Sequence, residues 1–306
     1  LLQRPQKIYE EIFKSQNLLY LQDNEKIEIS GKLKATNYTI RGDISSQFIS
    51  GLLFTLPLLE GDSTIKIIPP FESKSYIDLT IEMLNRFGIE IEFLDELTIF
   101  IKGNQHYTPT DYYVEGDFSQ LGFFAVLGAI NNDLTCKGLN TKSKQGDKEI
   151  VDILKKCHID VEILENGYRF FNGIPQSYNI NLENCPDLGP ILTVLSAYGN
   201  GNFKIYNAHR LRYKESDRIE AMEVELKKLG VDINSDQDSI YITGKRNYTS
   251  CNEVFGHKDH RIVMSLAIFA TILDKPLIID GAEAISKSYP NFFEDLKKLN
   301  IKLEIF

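Results

Sequence analysis

Cysteine is scarce and unpaired in this 306-residue sequence: Cys136, Cys157, Cys185 and Cys251 are scattered, with no Cys-x-x-Cys pair. A disulfide framework and a zinc ribbon are thereby excluded, and the plain reading is reduced, mostly buried thiols in a cytoplasmic protein. No run of about 18 apolar residues is present to make a membrane-spanning helix, and the opening Leu-Leu-Gln-Arg-Pro-Gln-Lys lacks the apolar core of a signal peptide. The five histidines (His106, His158, His209, His257 and His260) show no metal-ligand spacing, and no glycine-rich phosphate loop exists. Positive charge is in deficit, with 34 Lys plus Arg against 43 Asp plus Glu and a net charge of −9. That balance excludes wholesale nucleic-acid wrapping and a basic membrane-surface role. A focused basic pocket for a small anion remains compatible with it.

What is present is globular in kind: 42% hydrophobic and 25% charged residues. The length suits two domains of about 150 residues each, large enough to bury cores without staples.

Two features recur along the chain. The first is an Asp ahead of a long apolar helix, at Asp43, Asp117, Asp187 and Asp259, in steps of 74, 70 and 72 residues. The second is an amphipathic helix ending in a polar break and a β-branched strand, led by Leu84, Leu154, Leu226 and Leu296 in steps of 70, 72 and 70. Two independent markers sharing one period establish a repeat of about 72 residues. Each unit reads as a helix capped by the Asp or a nearby Ser, a strand such as Ser63 to Ile68, Asn202 to Tyr206 or Lys275 to Ile279, a second helix, and alternating strands such as Glu90 to Phe93, Thr98 to Ile101 and Ser239 to Thr243. The fold class is α/β in character, built of α+β repeats rather than one doubly wound sheet. One period before Leu84 lies Ile8 to Lys14, a second-helix pattern without its first helix. The chain is therefore expected to open in the middle of a unit, with upstream units missing.

Helix starts are where chemistry is expected, because their free N–H groups and partial positive charge suit phosphate or carboxylate. Asp43-Ile44-Ser45-Ser46-Gln47 is on its own an ordinary cap. Arg210 to Arg218 packs four cations and two carboxylates into nine residues at a helix start. That is either a solvated charge cluster or an anion site, since cations there are electrostatically misplaced unless an anion compensates them. Arg261 in Asp259-His260-Arg261 and Lys287 in Ser286-Lys287-Ser288-Tyr289-Pro290 repeat the oddity, whereas Asp187 reads as a plain cap. Converging Arg, Lys and isolated carboxylates suit a doubly anionic ligand with acid–base chemistry beside it. From residues alone the class is an anionic-substrate transferase or lyase.

The same residues carry a resemblance. Gly42-Asp43-Ile44-Ser45-Ser46-Gln47, Ser73-Lys74-Ser75-Tyr76-Ile77-Asp78, Lys214-Glu215-Ser216-Asp217-Arg218, Asp259-His260-Arg261 and Ser286-Lys287-Ser288-Tyr289-Pro290 resemble the motifs of the 5-enolpyruvylshikimate-3-phosphate synthase family (3-phosphoshikimate 1-carboxyvinyltransferases), from Arg4-Pro5 to Phe293. The resemblance implies the two-lobed enolpyruvyl transferase fold, with six such units, a hinge and an active site in the cleft between lobes. About a quarter, at the N-terminus, is then expected to be absent. Residues 1–113 would be the remainder of the shikimate-phosphate-binding lobe and 114–306 the second lobe, with a hinge strand near Val114.

The implied reaction transfers the enolpyruvyl group of phosphoenolpyruvate to the 5-hydroxyl of shikimate 3-phosphate and releases phosphate, a step in aromatic amino-acid biosynthesis. By matched motif, Ser45, Ser46, Ser73 and Lys214 would hold the shikimate phosphate, with Gln47, Tyr76 and Asp187 along the shikimate. Arg4, Arg218 and Arg261 would clamp phosphoenolpyruvate, with Gln47 and Lys287 also contacting it. Asp187 would take the hydroxyl proton, Glu215 would protonate the methylene carbon, and Lys287 would assist as acid and charge stabiliser. No metal or organic cofactor, nucleic acid or membrane is implied, and the complete protein is expected to be a monomer. The chain departs from the family at Arg210, an Asn in some members, and at Cys185-Pro186-Asp187-Leu188-Gly189-Pro190, where Asp-Met-x-Pro is more common. Two rival readings stand beside this one: the sister UDP-N-acetylglucosamine enolpyruvyl transferases, and a catalytically inactive, ligand-binding fragment.

Overall fold

A computed structural model of the chain describes residues 6–249 and 251–306. The chain divides into two compact units. The first runs to Val114 and takes in Lys144–Gly146; the second comprises Glu115–Ser143 and Asp147–Phe306.

The first unit starts with α1 (Lys7–Ser15) and a hairpin, β1 (Leu19–Gln22) and β2 (Ile27–Ser30), which is the order of the second half of a repeat. A whole repeat follows as β3 (Asn37–Arg41), α2 (Ser46–Thr55), β4 (Ser63–Ile68), α3 (Lys74–Arg86), β5 (Ile91–Asp95) and β6 (Thr98–Ile101). The sheet runs β3-β4-β6-β5. β3 and β4 are parallel, with Arg41 opposite Ile68, and the other pairings are antiparallel. Period-2 alternation turns Tyr38, Ile40, Ile65 and Ile67 onto Phe48, Ile49, Leu52 and Leu53 of α2 and Ile77 and Leu84 of α3. Each such side chain, fully buried, stabilises by about 1.5–3 kcal/mol.

The second unit repeats the plan. Its first repeat holds α4 (Phe118–Ile130), β7 (Leu134–Lys137), α5 (Glu149–Lys156), β8 (Val161–Leu164) and β9 (Gly167–Phe170). The next holds β10 (Asn179–Asn181), α6 (Gly189–Tyr198), β11 (Gly201–Tyr206), α7 (Arg218–Lys228), β12 (Asp232–Ser235) and β13 (Ile240–Gly244). The last holds β14 (Glu253–Phe255), α8 (His260–Ala270), β15 (Ile278–Asp280) and α9 (Phe292–Lys298). The sheet β10-β11-β13-β12 has the strand order and directions of the sheet in the first unit, with β10 and β11 parallel. β14 and β15 form another parallel pair.

Helices α4, α6 and α8 are apolar almost all round and pack on one another at the centre, as such helices must. The amphipathic second helices and the sheets surround them. Gly122 in α4 lets Leu188, in the turn before α6, lie close, because a Cβ there would be 2.7 Å from Leu188 Cδ2.

Two expected strands do not form. Residues 107–117 make no strand, and Tyr113 and Val114 are 87% and 78% exposed, so the expected hinge strand at Val114 is extended chain without a ladder partner. Residues 301–306 likewise carry β-branched residues but no strand, while the corresponding positions of the other repeats pair with a following strand. All four cysteines are free; Cys157 and Cys185 are buried, and Cys136 and Cys251 half-buried.

Candidate active site

In every parallel pair the chain leaves the strand ends through a loop that opens a helix or a short 3-10 turn. Loops at the carboxyl ends of parallel strands are the usual ligand-binding edge of α/β sheets. In the first unit these are 42–45 after β3 and 69–73 after β4. In the second they are 182–188 after β10, 207–217 after β11, 256–259 after β14 and 281–291 after β15. The candidate residues among the described ones all lie in these loops or in the first turn of the helix that follows. Arg4 lies outside the described residues.

In the first unit, Ser45 is extended (φ −165°) and its hydroxyl accepts the Gln47 N–H at 3.3 Å, capping α2. Asp43, two residues earlier, is held by Arg41 Nε at 3.0 Å and Nη2 at 2.5 Å. Ser46 and Gln47 occupy the first turn. The loop before α3 lies directly against this corner: a Cβ on Gly42 would meet the Pro70 carbonyl oxygen at 2.6 Å, and the Glu72 N–H donates to the Gly42 carbonyl. Ser73 is buried and left-handed (φ 53°), and Tyr76 follows in the first turn of α3. Ser75 Oγ is buried without a partner among the described residues. The two hydroxyl-bearing corners, Ser45-Ser46-Gln47 and Ser73 to Tyr76, are thus neighbours on one edge.

In the second unit the charged candidates form one connected cluster around Arg218, the first residue of α7, which is 1% exposed. Its Nε donates to Asp259 Oδ2 at 2.8 Å, its Nη1 to Asp187 Oδ1 at 2.9 Å and its Nη2 to Glu215 Oε2 at 2.8 Å. Arg261 Nη2 reaches Asp187 Oδ2 at 3.1 Å, Lys214 Nζ lies 3.3 Å from Asp187 Oδ1, and Lys287 Nζ lies 3.5 Å from Glu215 Oε1. Four cations thus face three carboxylates, leaving one positive charge in excess at a place where α6, α7 and α8 begin. The arrangement suits an anion carrying more than one charge.

Asp187 is not the plain cap expected of it. It sits in the 3-10 turn Pro186–Leu188, and α6 starts without a side-chain cap. The caps of α4, α7 and α8 are made by Asp117, Asp217 and Asp259, whose carboxylates accept the N–H groups of Ser119, Glu220 and Arg261. Asp187 instead spends both oxygens on Lys214, Arg218 and Arg261. Burial alone would raise its carboxyl, but those three cations hold it well below the usual carboxylate range. Asp259 is lowered in the same way, burial opposing and Arg218 prevailing. The Arg210–Arg218 run is no solvated face: Arg210 is buried, with Nη2 on the Glu183 carbonyl at 2.6 Å, and Arg212 Nη1 holds Asp217 at 2.7 Å.

Two participants had no role in the site by sequence. Asp259 caps α8, as its place in the 72-residue register of helix-starting Asp residues predicts, but it also holds Arg218. His260 is 5% exposed, and its Nδ1 has no hydrogen-bond partner among the described residues. Burial, then the charge of Arg261, push its imidazole down to about 4, so it is neutral at pH 7.

The model of the EPSP synthase family (3-phosphoshikimate 1-carboxyvinyltransferase) matches residues 18–296. The chain belongs to that family. Among curated relatives it is 45% identical over 306 residues to the 3-phosphoshikimate 1-carboxyvinyltransferase of Clostridium kluyveri, covering 99% of this chain and 72% of that protein. It is 46% identical over 301 residues to that of Clostridium acetobutylicum, covering 97% and 69%. Among solved structures it resembles an EPSP synthase from Acinetobacter baumannii, with a TM-score of 0.79 at 24% identity over 97% of this chain and 71% of that one. The enolpyruvyl transferase NikO from Streptomyces tendae gives 0.76 at 16% identity over 97% and 72%. These likenesses establish the mixed α/β enolpyruvyl transferase fold.

Proposed function

We propose that this member of the family transfers the enolpyruvyl group of phosphoenolpyruvate to the 5-hydroxyl of shikimate 3-phosphate and releases phosphate, in aromatic amino-acid biosynthesis. The observation that carries the reading is the Asp187 carboxylate ringed by Lys214, Arg218 and Arg261, with Glu215 held between Arg218 and Lys287. Arg218 and Arg261 clamp the carboxylate and phosphate of phosphoenolpyruvate, with Arg4, Gln47 and Lys287 also contacting it. Ser45, Ser46, Ser73 and Lys214 hold the shikimate phosphate, with Gln47 and Tyr76 along the ring.

The proton inventory follows from the charges. The 5-hydroxyl oxygen bonds to C2 of phosphoenolpyruvate and its proton goes to Asp187, while Glu215, a carboxylate in the free cluster, takes up a proton with the incoming substrates and gives it to C3. The tetrahedral adduct then loses phosphate from C2, which departs with the proton held by Asp187, and C3 returns a proton to Glu215, which restores the double bond. Lys287 stabilises the departing phosphate charge. The cations that lower the Asp187 carboxyl also weaken it as a base. Anionic substrates draw Lys214 and Arg261 into their own contacts, and the Asp187 carboxyl rises toward a useful value as they do so. Substrate binding thus switches on the base.

The family membership favours shikimate 3-phosphate over UDP-N-acetylglucosamine as acceptor. The test is phosphate release from phosphoenolpyruvate with each acceptor, alongside calorimetric binding of both substrates. Release with shikimate 3-phosphate alone is expected, with Asp187→Asn lowering kcat at least 100-fold and Glu215→Gln acting similarly. Release only with the UDP-sugar would overturn the reading. Tight binding without release would favour a ligand-binding, catalytically inactive chain. On this reading the complete protein is a cytoplasmic monomer, and sedimentation checks the oligomeric state.

A further inference from the structure

Strand β14 reaches α8 through Gly256-His257-Lys258-Asp259. The Asp259 N–H donates to the Gly256 carbonyl at 2.9 Å, closing a four-residue turn. Its two central residues are both left-handed, His257 at φ 51° and Lys258 at φ 54°. Two successive positive φ values are the pattern of a type I′ turn, which Asn and Gly adopt readily and other side chains do not. Neither central position is Asn or Gly, so something outside the turn must hold it.

That holder is Glu225, on α7, which is 1% exposed and has no part in the mechanism above. Its Oε2 accepts the Phe255 N–H at 3.0 Å and Lys228 Nζ at 2.6 Å, and its Oε1 accepts His257 Nε2 at 2.9 Å. The carboxylate therefore grips the chain just before the turn and at its first central residue. Gly256 lets the turn lie down on α8, since a Cβ there would meet Val263 Cγ2 at 2.4 Å. The turn delivers Asp259, which holds Arg218, and two residues later Arg261, which holds Asp187.

We infer that Glu225 is a positioning residue of the anion clamp: by pinning the left-handed turn 256–259 it sets where Asp259 and Arg261 stand relative to Asp187 and Arg218. The inference rests on the phosphoenolpyruvate reading of that clamp. A buried carboxylate that merely ties α7 to β14 would affect stability alone.

Glu225→Gln keeps the shape and removes the charge. Hydrogen–deuterium exchange of the amides of 257–261 is expected to speed up at least tenfold, with the rest of the second unit changed less than twofold. The calorimetric dissociation constant for phosphoenolpyruvate should rise at least tenfold. In a His257→Asn, Lys258→Gly background the turn holds itself, and Glu225→Gln should then weaken phosphoenolpyruvate less than threefold. Equal losses in both backgrounds, unchanged exchange in 257–261, or faster exchange spread evenly over the second unit would each overturn the positioning role. Should the unaltered chain bind no phosphoenolpyruvate, the functional reading fails, and the exchange measurement still decides whether Glu225 pins the turn.

Discussion

Arg218 concentrates most of the electrostatic risk of the second unit in one side chain. It compensates Asp259, Asp187 and Glu215 while being almost wholly buried. Removing one partner of a buried ion pair typically costs 3–5 kcal/mol, because the remaining charge is left uncompensated. Arg218→Gln is therefore expected to lower the unfolding free energy of the second unit by roughly that amount in urea titrations; a loss under about 1 kcal/mol would show that the acids are satisfied without it. His260 makes a prediction of different sign. Its pKa is about 4 folded, against an unperturbed value near 6.5. The unfolded chain thus takes up a proton, as pH falls below about 6.5, that the folded chain refuses until about 4. Stability present above that window is lost on acidification through it, on the order of 3 kcal/mol in total. His260→Gln should flatten the stability–pH curve between pH 6.5 and 4, and an unchanged slope would refute the burial argument.

At the scale of elements, the crossing of α4 with the turn before α6 couples packing to chemistry. Gly122 lies under Leu188, the neighbour of Asp187. Gly122→Val overpacks this contact, and overpacking costs about 1–3 kcal/mol. If the displaced Leu188 carries the turn with it, phosphoenolpyruvate affinity should fall by more than thermal stability does; the reverse ordering would mean that the Leu188 side chain or α4 gives way instead. Much of this level is readable from sequence. The 72-residue period locates every first helix, since apolar content and a helix-starting Asp or Ser are local signals. Strand Ser63 to Ile68 is likewise marked by its own β-branched residues. What local signals cannot carry is pairing. Val114 and Ile301 look like strand residues and form none, because a strand also needs a neighbour with free N–H and C=O groups. Asp187 reads as a cap for the same reason. Its side chain is claimed by cations 27, 31 and 74 residues further along the chain, none of them visible in a local window.

For the whole molecule, the repeat explains why the candidate residues of each unit are spread along the chain and yet ordered. Each parallel strand pair supplies two loops at its carboxyl end, and the units differ in what those loops carry. In the first unit they bear hydroxyls and an amide, Ser45, Ser46, Gln47 and Ser73. In the second they bear Asp187, Lys214, Glu215, Arg218, Arg261 and Lys287. Neutral donors suit a ligand whose position must be fixed by hydrogen bonds, whereas the cationic cluster suits charge that changes during reaction. This division predicts distinct footprints for two probes. Inorganic phosphate, the released product, should slow amide exchange only in the second unit, in loops 182–188, 207–217, 256–259 and 281–291. Shikimate 3-phosphate should slow it in 42–47 and 69–76 of the first unit as well as around Lys214. At a ligand concentration of about 100 times the dissociation constant the stabilisation is about 2.7 kcal/mol, or roughly 100-fold in exchange through opening of the liganded loops. Protection by shikimate 3-phosphate confined to the second unit would remove Ser45, Ser46 and Ser73 from the site, and the phosphate would then have to be held by Lys214 and the arginines alone.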